Sequence, residues 1–249
     1  MTIVYLGTHE VSWLRLTDVP LFISRRRLIR QKSYPRAIGP WALDSGGFSE
    51  LSLMGCWTVG PKTYADEVRR WQSEIGGLQW AAIQDWMCEP QILQMTRLTL
   101  KEHQRRTIES YLRLMDYAPD LPWVPVLQGW EMGDYLRHLD QYGKAGVELS
   151  SLPLVGIGSV CRRQHTGEVE ALIKTLAYGG IKLHGFGFKK RGLIAVSGSL
   201  TSSDSLAWAY AASLSPPMEG CSHKHCSSCM KYALSWYESL MLRLGLPQG

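Results

Sequence analysis

The sequence of 249 residues has no long apolar run and nothing at its start that marks it for export. Its longest apolar stretch, from Leu206 to Leu214, is far shorter than the roughly 20 residues that a membrane-spanning helix needs. The first residues, Met-Thr-Ile-Val-Tyr-Leu-Gly, lack the basic segment of a signal peptide and are typical of a strand. We therefore expect a cytoplasmic chain that has no membrane partner.

Cysteine is also sparse, and its placement argues against a disulfide-stabilised scaffold. Of the six cysteines, Cys56, Cys88 and Cys161 are dispersed, which suits a reducing compartment. The other three lie in the segment Cys221-Ser-His-Lys-His-Cys-Ser-Ser-Cys229, where three cysteines and two histidines fall within nine positions. That density is typical of a structural zinc site. The predicted ligands are Cys221, Cys226, Cys229 and His223, with His225 as the alternative to His223.

Internal repeats and low-complexity segments are absent, and the chain is long enough to bury one large core. Hydrophobic residues make up 45% of it, in short runs that predict strands alternating with helices. About eight strands at this spacing favour an α/β fold of the TIM (β/α)8 barrel type over an open sheet. We predict a barrel domain over residues 1–214 and a zinc-binding segment with a C-terminal helix over residues 215–249. The predicted strands cover residues 3–7, 21–24, 41–43, 78–86, 123–127, 154–157, 181–188 and 193–196.

Acidic residues are outnumbered by basic ones, and two clusters hold much of the positive charge. Lysine and arginine total 27 against 22 aspartates and glutamates, a net charge of +5. One cluster lies in a predicted loop before the third strand, and the other follows the seventh. Solvated surface charge would explain either cluster alone, but two clusters that flank strand ends suit a phosphate backbone. The predicted nucleic-acid contacts are Arg25, Arg26, Arg27, Arg30, Lys189 and Lys190.

Polar side chains follow several predicted strands, at the positions where parallel α/β proteins bind ligands. Asp44 ends an apolar run and enters a glycine turn, Asp85 and Gln128 follow later strands, and Asp204 lies among serines. A single aspartate after a strand is commonly a cap or turn residue, but several at successive strand ends need another explanation. A retaining glycosyl transfer uses one carboxylate to attack the anomeric carbon and another to move protons.

The segment Asp44-Ser-Gly-Gly-Phe48 resembles the signature of the tRNA-guanine transglycosylase superfamily. The superfamily's Phe-Asp-Cys nucleophile segment is missing, and Ser202-Ser-Asp-Ser-Leu-Ala-Trp208 stands in its place. This short chain, with Gly7-Thr-His9 near its start, is most similar to the DNA-guanine transglycosylases, the DpdA family of phages and bacteria. Further matches follow in the family's order: Asp85 in Ile83-Gln-Asp-Trp-Met-Cys88, Gln128-Gly129, Gly156-Ile-Gly-Ser159 and His184-Gly-Phe-Gly187.

The resemblance implies an enzyme that replaces guanine in DNA by a 7-deazaguanine such as 7-cyano-7-deazaguanine. It implies Asp204 as the nucleophile and Asp44 as the proton-transfer partner, with swapped roles as the nearest alternative. Asp85 would accept hydrogen bonds from the donor edge of the purine, and Gln128 would satisfy its carbonyl. It also implies a structural zinc, with His223 nearer the family's ligand spacing than His225. The expected base-binding residues are Asp85, Gln128, Gly158, Ser159, Phe48 and His9.

Two other functions stay open on the sequence alone. One is the same exchange on tRNA, against which the absence of the tRNA enzymes' C-terminal RNA-binding region argues. The other is a zinc-containing nucleic-acid-binding protein without catalysis. For the favoured function the expected partners are DNA and a free 7-deazaguanine base, a homodimer being a further option. The expected setting is the bacterial cytoplasm, including that of an infected host.

Overall fold

The computed structural model describes residues 2–161, 163 and 167–245. Its centre is a nine-stranded sheet with the strand order β5-β4-β3-β2-β1-β9-β8-β7-β6, in which every pair is parallel. The end strands β5 and β6 are separated along the chain by Pro125 alone, so the sheet curls until its two edges meet at one place. Nine strands thus fill the eight positions of a TIM-like barrel, which confirms the predicted fold class. The strands are β1 (Ile3–Thr8), β2 (Leu21–Ser24), β3 (Trp41–Asp44), β4 (Leu78–Ala82), β5 (Trp123–Val124), β6 (Val126–Leu127), β7 (Val155–Ile157), β8 (Leu183–Gly185) and β9 (Ser202–Ser205).

Helices follow most of the strands and cover the outside of the barrel. Their ends carry ordinary signals: Pro61 opens α3, Gly76 with φ +73° ends it, and the Thr99 hydroxyl accepts from the Glu102 N–H at the start of α5. In the part of the chain that is described, no helix is long and apolar enough to cross a bilayer. The helices are α1 (Arg25–Leu28), α2 (Gly47–Met54), α3 (Pro61–Ile75), α4 (Pro90–Thr96), α5 (Leu100–Tyr117), α6 (Met132–Lys144), α7 (Gly167–Tyr178), α8 (Lys190–Val196), α9 (Ala207–Ser213) and α10 (Met230–Arg243).

Alternation along the strands decides which side chains face the barrel interior. Tyr5, Phe22, Ala42 and Trp80 belong to one buried cluster inside the barrel, separate from the large core between strands and helices. Successive strand residues point to opposite faces, so Asp44, two positions after Ala42, faces inward as well. The interior is therefore aromatic in its middle layer and polar towards the carboxyl ends of the strands.

The predicted strand at residues 193–196 is wrong, because this segment belongs to helix α8. Its buried residues Leu193 and Val196 are three positions apart, which fits one face of a helix. The last barrel strand is β9, so that Asp204 lies within a strand rather than after one. Its serines are poor strand formers, but β1 pairs with β9 on one side and β8 pairs with it on the other.

The strand predicted over residues 78–86 is shorter in the structure, since β4 ends at Ala82. The C-terminal helix packs on the barrel: the Tyr237 hydroxyl donates to the Val4 carbonyl oxygen at 2.9 Å, and Leu240 is fully buried. The division of the chain at residues 214 and 215 stays a prediction, and residues 246–249 lie outside the described part.

Arg25 does not lie on the protein surface, contrary to the prediction that it contacts nucleic acid. It sits in helix α1 rather than in a loop and is 3% exposed. Its guanidinium donates two hydrogen bonds to Glu67, at 2.6 and 2.9 Å, and lies 3.5 Å from a Glu50 oxygen. Arg25 therefore joins α1 to α2 and α3, and its charge is neutralised inside the protein.

Replacing Arg25 with methionine should lower the free energy of unfolding by about 3 kcal/mol, because Glu50 and Glu67 lose the cation that they share. Urea unfolding followed by circular dichroism measures this change. The matched control is Arg70→Met, which breaks an exposed pair with Glu74 and should leave the unfolding midpoint unchanged. Equal midpoints for Arg25→Met and the parent chain would contradict a structural role for Arg25.

Candidate active site

A cavity of about 210 Å³ opens at the carboxyl ends of the barrel strands. Parallel barrels collect functional groups at this end, because each strand delivers its last residues to the same rim. Phe22, Ala82, Met87 and Phe186 supply much of the apolar wall. Of the residues predicted to bind or react with a base, the cavity brings together Asp44, Phe48, Asp85, Gln128, Gly158, Ser159 and Asp204.

Asp44 ends strand β3, and its carboxylate is held by donors from the glycine turn and from the end of β2. Gly46, with φ +82°, bends the chain so that its backbone N–H hydrogen-bonds to the Asp44 carboxylate, and the Ser24 hydroxyl does the same. Burial nevertheless raises the pKa of Asp44, and the nearby Asp204 carboxylate raises it further. Asp44 is therefore a carboxyl group suited to holding and releasing a proton.

Asp85 has the most strongly perturbed carboxyl group of the cavity. Burial raises the pKa of Asp85 to about 7; the Gln128 hydrogen bond opposes this shift, and the Asp44 and Glu89 carboxylates add to it. A Cβ atom added to Gly47 would lie 3.4 Å from the Asp85 Oδ1 atom. The glycine turn after Asp44 therefore lies directly against Asp85.

The Gln128 side chain is fixed in the cavity wall by partners that follow strands β4 and β7. Its Nε2 atom donates to Asp85 Oδ2, and its Oε1 atom lies 2.6 Å from the Ser159 hydroxyl oxygen. A Cβ atom on Gly158 would lie 2.2 Å from Gln128 Nε2, so position 158 has room for glycine alone. An amide nitrogen carries two hydrogens, so Gln128 can orient Asp85 and still offer one donor to a bound base.

Two buried groups also hold the Gln128 backbone. Its N–H donates to His138 Nδ1 at 2.9 Å, and its carbonyl oxygen accepts from Gln104 Nε2 at 2.8 Å. Burial lowers the pKa of His138 to about 4, so this imidazole stays neutral and keeps an acceptor nitrogen at physiological pH. The position of Gln128 is thus set by helices α5 and α6 as well as by strand β6.

Glu89 is a site residue that the sequence reasoning missed. It is 2% exposed, and its Oε2 atom lies 2.8 Å from the Ser159 hydroxyl oxygen, which also accepts from the Cys88 N–H at 2.9 Å. Ser159 has φ +57°, an unusual backbone conformation for a serine, and it links Glu89 to Gln128. In the sequence Glu89 precedes Pro90 at the start of a helix, so it resembles an ordinary N-cap residue.

Asp204 is held at one of its two carboxylate oxygens. The Gly187 N–H donates to Oδ1 at 2.8 Å, and His184 Nε2 lies 3.3 Å from the same oxygen. His184 Nδ1 is in turn 2.8 Å from the Ser202 hydroxyl oxygen. No separate role for His184 follows from the sequence; the available signal is its place two residues before Phe186 in a predicted strand, where both side chains would face the same side.

His9 is not brought into the cavity, although it was predicted to contact the base. Strand β1 ends at Thr8, and the exposed His9 side chain lines a separate surface depression with Glu10 and Arg15. Partial loss of water around the His9 ring lowers its pKa, the Arg27 guanidinium lowers it further, and Glu10 raises it. The change in chain direction before the 3-10 turn at Val11 explains why His9 does not continue the inward alternation.

The other predicted nucleic-acid contacts follow strands β2 and β8 along the chain. The Arg26 side chain passes close to the glycine turn, its Cγ atom 3.2 Å from where a Gly46 Cβ would lie. Arg30 is exposed in the segment that follows α1. At the other cluster, the Lys190 ammonium donates to the Ser239 hydroxyl of α10 at 3.0 Å. Arg26, Arg27, Arg30, Lys189 and Lys190 remain the proposed phosphate contacts.

Four residues near the C-terminus form a group that could hold a metal ion such as zinc. The ligand atoms of Cys221, His223, Cys226 and Cys229 all lie within 4.8 Å of one another, and His225 is not part of the group. Tetrahedral zinc with bonds of about 2.3 Å to sulfur places two sulfurs about 3.8 Å apart. The Cys221 and Cys229 sulfurs are 4.0 Å apart, so the donor set fits.

A parallel barrel whose rim gathers acidic groups around one small cavity is the arrangement expected of an enzyme site. The sequence model of the DpdA family, described as DeoxyPurine in DNA protein A, matches residues 1–245. A comparison with curated proteins gives no match. Because the family match covers nearly the whole sequence, the chain belongs to the DpdA family, which confirms the resemblance. Membership supports a DNA-guanine transglycosylase role in general.

Replacing Asp85 with asparagine should remove a pH-dependent part of the stability. The carboxyl pKa is near 3.9 in an unfolded chain and about 7 in the fold, so the folded state keeps a proton that the unfolded state releases. This contribution is complete below about pH 4 and is lost as the pH rises through 7. As the pH rises from about 4.5 to 7.5, the free energy of unfolding of the parent should therefore decrease relative to that of Asp85→Asn.

Urea unfolding across this pH range tests the expectation. The matched control is Asp116→Asn on α5, where the aspartate is exposed and no such trend is expected. A difference between parent and Asp85→Asn that stays constant with pH would show that the Asp85 carboxyl titrates as an ordinary surface group.

The metal group predicts one zinc ion per chain in protein purified without chelator. Cys226→Ser and His223→Ala should each lose most of the bound zinc and lower the melting temperature, because the ligands fix the segment before α10. His225→Ala and Cys56→Ser are matched controls that should keep the bound zinc and the melting temperature of the parent. Elemental analysis and thermal unfolding give the two readouts, and equal zinc content in the two histidine variants would contradict the assignment of His223.

Proposed function

We propose that this chain exchanges guanine in DNA for a 7-deazaguanine base, such as 7-cyano-7-deazaguanine, through a covalent aspartyl-sugar intermediate. The observation that carries the proposal is the convergence of Asp44, Asp85 and Asp204 in one cavity. Replacing one base by another at the same carbon without both bases present at once requires two displacements. A carboxylate that captures the sugar lets the first base leave before the second one enters.

The base would bind against Asp85 and Gln128. A guanine-type ring offers N–H donors along one edge, which suit the acceptor oxygens of an ionised Asp85, and a carbonyl that suits the spare hydrogen of the Gln128 amide. Phe48 and Phe186 at the cavity edge offer apolar surface for the ring faces. A base inside a duplex must first be turned out of the stack, and the small cavity has room for little more than one ring system.

In the first step the Asp204 carboxylate attacks C1′ of the deoxyribose. The C1′–O bond forms as the C1′–N9 bond breaks, and the electron pair of the broken bond passes to the departing guanine. The guanine takes up a proton, which we assign to Asp44, since burial favours the protonated form of that carboxyl group.

In the second step the 7-deazaguanine occupies the vacated cavity. Its N9 atom loses a proton to the now ionised Asp44 and attacks C1′, and the C1′–O bond to Asp204 breaks to restore both carboxyl groups. The proton and electron counts are thereby returned to their starting values. Arg26, Arg27, Arg30, Lys189 and Lys190 would hold the flanking phosphates during both steps. A zinc ion in the four-residue metal group would act structurally, since those residues lie outside the cavity lining.

An exchange assay with radiolabelled guanine tests the function directly. The purified chain should transfer label out of guanine-labelled DNA when a 7-deazaguanine is added, and should leave tRNA unchanged. Asp204→Ala should reduce exchange by at least 1,000-fold, in the range lost when a nucleophile is removed, whereas the exposed control Asp116→Asn should exchange normally. Activity on tRNA alone would indicate the tRNA reaction, and binding without exchange on either substrate would indicate a non-catalytic protein.

The roles of the two aspartates are separated by trapping the intermediate. Asp44→Asn should form the DNA adduct more slowly, since the departing guanine loses its proton donor, but should retain it, since the incoming base loses its proton acceptor. The adduct should survive denaturation. Mass spectrometry should locate the adduct on Asp204, and Asp204→Ala should form none. An adduct on Asp44 would show that the two roles are exchanged.

A further inference from the structure

We infer that His184 is a positioning residue for Asp204, and that Ser202 selects the imidazole tautomer which makes this possible. The inference rests on the proposed role of Asp204 as the nucleophile. It concerns a histidine that neither the family match nor the proposed reaction assigns.

The three residues meet because strands β8 and β9 are neighbours. His184 is paired in register with Ser202, and Asp204 follows two positions later on the same inward face of β9. His184 is fully buried. Its two ring nitrogens meet two different partners, the Ser202 hydroxyl at 2.8 Å and the Asp204 Oδ1 atom at 3.3 Å.

Counting hydrogens assigns the direction of both contacts. A neutral imidazole has one N–H and one acceptor nitrogen, and an ionised carboxylate can accept but cannot donate. If Nδ1 carried the hydrogen, the lone pair of Nε2 would face the Asp204 oxygen. The Ser202 hydroxyl can donate to Nδ1 instead, which leaves the hydrogen on Nε2 for Asp204.

The surroundings of the ring favour this neutral form and fix its plane. The ring centroids of Trp80, Phe186, Phe22 and Tyr5 lie 4.5, 4.7, 5.6 and 6.1 Å from that of His184. Burial lowers the pKa of His184, while its hydrogen bond to Asp204 and the charge of that carboxylate oppose the shift. The Tyr5 hydroxyl accepts from Trp80 Nε1 at 3.1 Å, so it belongs to the aromatic layer rather than to the histidine contact.

The His184 ring and the Gly187 N–H both contact the same Asp204 oxygen, Oδ1. With Oδ1 held by His184 and by the Gly187 N–H, Oδ2 is the oxygen left to meet C1′. In the covalent intermediate Oδ1 becomes the ester carbonyl oxygen. When the C1′–Oδ2 bond breaks, negative charge returns to the carboxylate, and the two N–H groups stabilise it. His184 therefore favours the step that releases Asp204.

Two substitutions at His184 distinguish positioning from space filling. His184→Leu removes the N–H but keeps apolar bulk, and should lower kcat by about 10- to 100-fold, the loss of a hydrogen bond to a charged group, with no loss of affinity for DNA. The fraction of enzyme found as the DNA adduct should rise, because release of Asp204 slows. His184→Gln, whose amide can still donate to Oδ1, should recover kcat to within about 5-fold of the parent.

Ser202 supplies an independent readout. Ser202→Ala should lower kcat by about 3- to 10-fold in the parent chain and have no further effect in the His184→Leu background, because its action passes through the imidazole. The matched control is Ser203→Ala, which removes a buried hydroxyl from the opposite face of β9, where it donates to the Gly185 carbonyl oxygen, and should exchange normally.

The outcomes separate this inference from the proposed function. Full exchange in Asp204→Ala would overturn both, since Asp204 would not be the nucleophile. If Asp204→Ala is inactive but His184→Leu matches the parent, or exceeds His184→Gln, His184 fills space and this inference alone is wrong. Additive losses for His184→Leu and Ser202→Ala would overturn the part assigned to Ser202.

Discussion

The free-energy cost of burying carboxyl groups in an apolar barrel is the constraint on which the candidate active site depends. An ionised carboxylate away from water needs either a countercharge or hydrogen-bond donors, and otherwise takes up a proton. Among the ion pairs of the described residues, none joins Asp44 or Asp85 to a lysine or arginine. Backbone N–H groups, hydroxyls and the Gln128 amide act in their place. The cavity therefore keeps carboxyl groups that can change protonation state, which a proton-transferring reaction requires.

Close backbone approach makes that arrangement possible. Gly46 adopts a left-handed conformation so that its N–H reaches Asp44, and Gly158 leaves the space that the Gln128 amide fills. Arg25 stabilises the helices next to this rim, since its ion pairs with Glu50 and Glu67 join the helices that begin after β2 and β3. The turns at Gly46 and Gly158 thus depend on steric requirements, and a buried ion pair joins the helices beside them.

The sequence revealed the parts of this protein that follow from local pattern. Alternating apolar runs predicted the barrel, and strand-end polarity singled out Asp44, Asp85, Gln128 and Asp204, which line one cavity in the structure. Local pattern did not predict the features that depend on tertiary contacts. The serines of β9 form a strand because β1 and β8 pair with it, and Arg25 is buried because acidic residues on other helices neutralise it. The contacts of Glu89 and His184 do not follow from the sequence, since their partners Ser159 and Asp204 lie about 70 and 20 residues further along the chain.

The pairing of β1 with β9 brings together segments about 200 residues apart, and it joins the first half of the sheet to the second. Loop-closure entropy makes such a long-range pairing one of the slower events in folding. During synthesis the first strand must therefore wait for nearly the whole chain before it finds its second neighbour. Asp204 lies on that last strand, opposite Tyr5 in the register. A partly made chain thus has an open sheet edge and lacks the proposed nucleophile, so completion of the fold and acquisition of reactivity coincide in time.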